Sequence, residues 1–142
     1  MFEYINQLIP ILQRRIQEYH SMFELPLIAE QWEEVLHRSF EEIGLHTTWK
    51  PNRSHKVGED MRIKGIDNSR ISCKSGTLKN NRSLGTLCVR FSGARCTSCN
   101  TLDEKLEYLS KSHDDYYFLL SKISAGLNKK FNKKYKLIVF ES

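Results

Sequence analysis

The chain lacks any uninterrupted run of roughly eighteen apolar residues, the length that a membrane-spanning helix requires. Its first residues, Met-Phe-Glu-Tyr-Ile-Asn, lack the basic and apolar regions of a signal peptide. Internal repeats and low-complexity tracts are also missing, which argues against a solenoid and against a disordered chain. The sequence therefore predicts a soluble, cytoplasmic, folded protein.

Cysteine is scarce, with four residues at positions 73, 88, 96 and 99. Cys96 and Cys99 have finger-like spacing, but the chain has one such pair only, and Cys73 and Cys88 fall in predicted strands. The histidines form no ligand spacing. We favour two buried strand thiols and two loop thiols in a reducing cytoplasm, and zinc at Cys96 and Cys99 remains the alternative.

Length and charge predict one domain with a polyanionic partner. The 142 residues suffice for one core, and we assign residues 1–142 to a single domain with a helical segment at 1–25 and a core at 28–142. The net charge of +5 is segregated. Basic residues concentrate in 50–95 and 129–136, as a DNA-binding face requires.

Apolar residues at helical spacing predict two helices in the first third of the chain. The first covers residues 2–19, where Pro10 either kinks the helix or opens a second one, and its apolar face is a candidate dimer interface. The second covers residues 29–43 and ends at Gly44.

Strands and one more helix are predicted in the remainder. Thr101 and Glu104 fit a capping box at the start of a helix over 102–111. Alternating or β-branched segments predict strands at 45–49, 86–92, 115–123 and 135–141. The order of elements predicts an α/β (α+β) protein with a central mixed or antiparallel sheet.

A β-hairpin is the most informative feature. Residues 61–64 and 70–73 alternate apolar with polar on either side of Gly-Ile-Asp-Asn-Ser, whose Gly, Asp and Asn are turn formers. Its two arms bring Asp60 beside Lys74. A carboxylate that can hold Mg²⁺ and an adjacent ammonium are the minimum equipment for metal-assisted phosphodiester cleavage.

At these residues the chain resembles the PD-(D/E)xK nucleases, and within them the small type II restriction endonucleases. Glu59-Asp60 stands where the pattern has Pro-Asp, and Ser72-Cys73-Lys74 where it has (Asp/Glu)-x-Lys. The flanking Ser-His-Lys-x-Gly-x-Asp and Lys-Ser-Gly are similar to restriction enzymes. The resemblance implies a restriction-endonuclease-like core, a mixed sheet flanked by helices, and Mg²⁺ as cofactor.

The resemblance also implies roles for individual residues. Asp60 would be a metal ligand, and Lys74 would polarise or deprotonate the attacking water or counter charge on the phosphate. Ser72 replaces the usual Asp or Glu, so a second carboxylate must come from elsewhere. Glu33 is the leading supplier, because the helical wheel puts it at the edge of the apolar stripe while Glu34 points away. The rival suppliers are Glu59, Asp67 and Glu104.

DNA contacts are expected from three polar segments, which are residues 54–56, the loop after the Lys74 strand and the loop around Arg95. The alternative for each segment is an ordinary solvated loop. Arginine pairs bidentately with guanine in the major groove, which favours the loop around Arg95 for base readout. The second segment follows the Lys74 strand and contacts backbone or bases. The expected DNA-binding residues are Ser54, His55, Lys56, Lys79, Asn80, Asn81, Arg82, Arg90, Ser92 and Arg95.

The resemblance implies a Mg²⁺-dependent, site-specific type II deoxyribonuclease, and the need for two active sites on a duplex predicts a homodimer on double-stranded DNA. Each subunit would cut one strand and leave 5′-phosphate and 3′-hydroxyl ends. Two alternatives stay open. A nickase or junction resolvase would keep the chemistry, whereas a non-catalytic, zinc-containing DNA-binding module would have lost catalysis at Ser72.

Overall fold

A computed structural model describes residues 1–51, 60–67, 69–79, 86–89, 101, 104, 115–124 and 131–141, with the backbone alone at 79, 86–89 and 124. The described helices are α1 (Phe2–Met22) and α2 (Ala29–Glu42). The strands are β1 (Met61–Arg62), β2 (Arg70–Lys79), β3 (Thr86–Val89), β4 (Tyr116–Ser124) and β5 (Tyr135–Glu141). The protein is an α+β protein, as the sequence predicts.

The described strands form one mixed sheet in the order β1-β2-β4-β5. β2 runs parallel to β4 along its length, and β5 is antiparallel to β4. The opposite edge of β2 is shared, because β1 pairs antiparallel with Arg70 and Ile71 while β3 pairs antiparallel from Gly76 to Lys79. The predicted mixed sheet is confirmed, with its parallel pair at the centre.

The predicted hairpin is present, and its turn chemistry explains it. Gly65 and Asp67 adopt φ angles of +97° and +46°, the left-handed region that glycine and aspartate tolerate best. The arms are joined by Ile63 N–H donating to the Ser69 carbonyl at 3.0 Å. The turn therefore sets the register that pairs Met61 with Ile71.

The segment predicted as a strand at 45–49 forms a single antiparallel bridge, Thr47 to Ile63, instead. Thr48 N–H donates to the Arg62 carbonyl at 2.9 Å, but Arg62 N–H bonds the Thr48 hydroxyl at 3.0 Å. A side-chain oxygen thus takes the place of a backbone carbonyl, which interrupts the ladder.

The two described helices follow the sequence pattern closely. α1 continues through Pro10 to Met22, so the proline lies inside one helix and opens no second one. α2 ends at Glu42, and Gly44 follows with φ +82°, which is the C-terminal glycine expected there. Among the described helices none is long and apolar enough to cross a membrane.

The core lies between the helices and one face of the sheet. Trp32 donates its indole N–H to the Phe118 carbonyl at 3.2 Å and is fully buried. Cys73 is buried on the same face, as predicted for a strand thiol. The core cluster is Leu8, Leu12, Leu27, Trp32, Leu36, Phe40, Met61, Ile63, Ile71, Cys73, Phe118 and Leu120. Since neighbouring strand residues alternate, Ser72 and Lys74 lie on the other face.

The predicted capping box is confirmed at Thr101 and Glu104. Glu104 N–H donates to the Thr101 hydroxyl at 3.2 Å, and Thr101 N–H donates to the Glu104 carboxylate at 3.1 Å. The rest of the predicted helix over 102–111 lies outside the described residues, as do residues 90–92 of the strand predicted at 86–92.

Candidate functional site

Asp60 occupies a gap in the sheet between β1 and β3. Its N–H donates to the Ile71 carbonyl at 3.2 Å, and its carboxylate Oδ2 accepts the N–H of Cys73. β3 begins pairing only at Gly76. On this edge of β2, no described strand pairs with residues 73–75, so the Asp60 side chain acts as the acceptor that a further strand residue would have supplied.

Lys74 and Ser72 converge on the same carboxylate oxygen. The Lys74 Nζ lies 3.7 Å from Asp60 Oδ2, and the Ser72 hydroxyl donates to this oxygen at 3.3 Å. The side chains of Lys74 and Asp60 remain 18% and 14% exposed, so both reach solvent, whereas Ser72 is fully buried. Asp60 Oδ1 makes no hydrogen bond to any residue that the structure describes.

Glu33 lies on the buried side of α2 with 6% exposure, and Trp49 donates its indole N–H to Glu33 Oε2 at 3.4 Å. Trp49 directly follows Thr48, whose N–H donates to the Arg62 carbonyl and whose hydroxyl accepts the Arg62 N–H in β1. Glu34, in contrast, is at the surface and bonds Arg38 at 2.8 Å. The two orientations match the helical wheel.

A polar network continues from Glu33 along α2. The His37 ring stacks on Trp49 with centroids 5.1 Å apart, and its Nδ1 lies 2.6 Å from the Thr47 hydroxyl. Burial lowers the pKa of His37, although Glu41 opposes the shift. Burial alone would raise the pKa of Glu41, but bonds from His46 and the Thr47 N–H hold it below its usual value.

Sequence reasoning missed this network, although a signal was present. Glu33, His37 and Glu41 recur every four residues, and that spacing places them on one side of a helix. The sequence pattern places Trp49 at the end of the strand predicted at 45–49 and indicates no role for its indole.

The donor set fits Mg²⁺ at Asp60 and Glu33. In the described part of the chain, no three or more His, Cys, Asp or Glu side chains group closely enough to hold a metal ion. Mg²⁺ nevertheless needs only one or two carboxylates, since waters and substrate phosphates complete its six ligands. Asp60 Oδ1 makes no hydrogen bond to a described residue, and Glu33 is bonded by Trp49, which follows the Thr48 that bonds β1.

The rival carboxylates have other surroundings. Asp67 is exposed in the hairpin turn, beyond the end of β1 that is remote from Asp60. Glu104 caps a helix by accepting the Thr101 N–H. Glu59 lies outside the described residues. Among the four predicted suppliers, Glu33 is the one that is buried on α2 and bonded by Trp49.

Most of the predicted DNA-binding residues lie outside the described residues. Lys79 ends β2, paired with Thr86, and its backbone alone is described. The zinc alternative at Cys96 and Cys99 also lies outside the described residues. The remaining predicted residues outside them are Ser54, His55, Lys56, Asn80, Asn81, Arg82, Arg90, Ser92 and Arg95.

Comparisons with known proteins gave no match to the chain. No protein-family model matches it, and neither the curated proteins nor the solved structures include a match. The class that fold and geometry define is an α+β protein with a mixed sheet in which an aspartate and a lysine pair at an interrupted edge.

Proposed function

We propose that the protein is a Mg²⁺-dependent, site-specific type II deoxyribonuclease with a restriction-endonuclease-like core. The observation that supports this most is the Asp60 and Lys74 pair, 3.7 Å apart at the gap between β1 and β3. One carboxylate oxygen there is fixed by Cys73 N–H and the other is unbonded within the described residues. This pairing of a preset ligand with an adjacent ammonium suits hydrolysis of a phosphodiester.

Each side chain has a distinct task in this proposal. Asp60 and Glu33 would hold Mg²⁺, which when bound supplies a Lewis acid for the phosphate and a water of lowered pKa. The Lys74 ammonium, partly exposed, would counter the negative charge that develops on the phosphate oxygens or take part in the proton movement at the attacking water. The Ser72 hydroxyl would hold the Asp60 carboxylate in place through its hydrogen bond to Oδ2.

Duplex DNA and a second copy of the chain are the proposed partners. A net charge of +5 suits a phosphate backbone. One chain supplies one Asp60 and Lys74 pair, whereas cutting both strands of a palindrome needs two related by a twofold axis, so a homodimer is the economical assembly. Hydrolysis would leave 5′-phosphate and 3′-hydroxyl ends.

The test is cleavage of a long, sequence-diverse DNA. Purified protein is incubated with phage DNA and Mg²⁺, alongside Asp60→Ala and Lys74→Ala, and the products are separated on a gel. Discrete fragments from the native chain, absent with both variants, support the proposal, and sequencing of the fragment ends gives the site. DNA left intact by all three proteins contradicts it.

The buried Ser72 favours a second candidate, a DNA-binding protein without catalysis, because a hydroxyl replaces a charged metal ligand. It predicts tight DNA binding with no metal-dependent cutting. A nickase or junction resolvase would keep the Asp60 and Lys74 chemistry, and nicked circles or cut four-way junctions would identify it.

A further inference from the structure

Trp49 is held in place from two sides. Its backbone follows the segment that bonds β1 through Thr48 N–H and the Arg62 carbonyl, at 2.9 Å. Its ring stacks on His37 at an interplanar angle of 29°, and His37 is in turn anchored by the Thr47 hydroxyl. An indole that follows a paired residue and stacks on an anchored ring has little freedom to redirect its N–H group.

The N–H group of Trp49 links α2 to the segment that bonds β1. It donates to Glu33 Oε2 at 3.4 Å, and the preceding residue, Thr48, bonds both backbone groups of Arg62 in β1. Burying the Glu33 carboxylate to 6% exposure costs free energy unless hydrogen-bond donors replace the water that it loses. The indole is one such donor, and it fixes which Glu33 oxygen is turned towards Trp49.

We propose that Trp49 is a positioning residue that orients Glu33 for binding Mg²⁺ together with Asp60. The inference rests on the proposed function, since it gives Glu33 the role of a metal ligand. Groups that hydrogen-bond a metal ligand set its orientation, and their loss lowers metal affinity by about 10- to 100-fold. The long Trp49 to Glu33 distance puts the expected effect at the lower end, about tenfold.

The two tryptophans of the chain provide a direct readout with an internal control. The indole N–H groups of Trp49 and Trp32 give separate ¹H–¹⁵N resonances, which Trp49→Phe assigns. Trp32 donates to the Phe118 carbonyl in the core, so its resonance is the reference. Mg²⁺ is added to the native protein, to Glu33→Gln and to Asp60→Asn, in the absence of DNA.

The Trp49 resonance is expected to move as Mg²⁺ saturates the native protein, while Trp32 stays in place. The movement should be lost in Glu33→Gln. Calorimetry should show that Trp49→Phe, which keeps the stacked ring, binds Mg²⁺ about tenfold more weakly than the native chain. That loss should vanish in the Glu33→Gln background, because the indole then has no metal ligand to orient.

Two different failures are distinguishable. If Glu33→Gln abolishes Mg²⁺ binding but the Trp49 resonance is unmoved and Trp49→Phe binds normally, the positioning role is wrong and the metal site stands. If the native protein binds no Mg²⁺, or binds it equally well without the Asp60 and Glu33 carboxylates, the proposed function fails, and the role of Trp49 fails with it.

Discussion

The Asp60 carboxylate accepts the backbone N–H of Cys73, where no described strand pairs with this edge of β2, and Lys74 lies one residue further along β2. One side chain therefore has two duties. Its Oδ2 accepts the Cys73 N–H just before β1 begins and lies 3.7 Å from the Lys74 ammonium, while Oδ1 makes no hydrogen bond to any described residue. Substitutions at Asp60 must be chosen so that these duties are separated.

Asp60→Ala should destabilise the fold, whereas Asp60→Asn should preserve most of it. The alanine leaves the buried Cys73 N–H without its acceptor, at a cost of about 1–3 kcal/mol. The asparagine amide oxygen can still accept that bond. Urea denaturation of both variants measures the difference, and equal stabilities would show that the Cys73 bond contributes nothing.

Lys74→Met should abolish most DNA cleavage without unfolding the protein. The lysine ammonium is proposed to act at the phosphate or the water, and such groups contribute about 10²- to 10⁴-fold to rates. Single-turnover cleavage at saturating Mg²⁺ gives the ratio to the native chain. Lys64→Met removes the same charge from the exposed turn of the same hairpin, and its rate should stay near native. Equal losses in both variants would point to net charge as the cause.

Glu33→Gln should lower cleavage by about a hundredfold or more, because stabilisation of charge by a bound metal is worth several kcal/mol. The matched control is Glu34→Gln on the neighbouring, solvent-facing position, where Arg38 is the partner. Cleavage rates across a range of Mg²⁺ concentrations compare the two. If Glu34→Gln loses as much activity as Glu33→Gln, the second carboxylate is misassigned.

Stability should fall as the pH drops below about 6.5, partly through His37. Burial holds the pKa of His37 below its usual value of 6.5 in the folded chain, so the unfolded chain takes up the proton first. The loss of folding stability that His37 causes is absent above the unfolded pKa and grows as the pH falls from the unfolded towards the folded pKa. His37→Gln should flatten the change in urea midpoint between neutral and mildly acidic pH. An unchanged slope would exclude His37 as a source.

Tyr135→Phe should destabilise the protein by about 1–3 kcal/mol, since one hydroxyl serves two buried partners. The Phe23 carbonyl can only accept, so His20 Nδ1–H donates to it at 2.9 Å, and Nε2 accepts the Tyr135 O–H at 2.8 Å. The Tyr135 oxygen also accepts Leu27 N–H at 2.9 Å.

Chemical denaturation measures the loss at Tyr135. Tyr116→Phe is its control, because the Tyr116 ring contacts Phe2 edge to face, a contact that the substitution keeps. The control should be near native in stability. A loss as large as that of Tyr135→Phe would mean that the hydroxyl network between α1 and β5 is not the cause.

Local chemistry made the hairpin predictable from sequence. Gly65 and Asp67 specify the turn, and alternation in 61–64 and 70–73 specifies the arms, so the approach of Asp60 to Lys74 follows from neighbours in the chain. The strands at 115–123 and 135–141 were likewise evident from apolar composition, and both are present as β4 and β5.

Long-range pairing was not predictable in the same way. The parallel register of β2 with β4 joins Ile71 to Tyr116 across more than forty residues, and no local pattern encodes it. The sharing of one β2 edge by β1 and β3, which creates the gap at Asp60, depends on the same tertiary arrangement. The Trp49 contact to Glu33 also required the fold, because a hydroxyl of Thr48 interrupts the strand that the sequence predicted.

The most direct test of the central claim compares DNA cleavage by the native protein and by Asp60→Asn, both folded and both with Mg²⁺. The substitution retains the side-chain shape and an oxygen that can accept the Cys73 N–H, and it replaces the other oxygen and the negative charge by a neutral amide NH₂ group. We predict discrete fragments with the native chain, none with Asp60→Asn, and none with the native chain after chelation of Mg²⁺. Equal cleavage by both proteins would contradict the account, as would DNA that the native protein leaves intact.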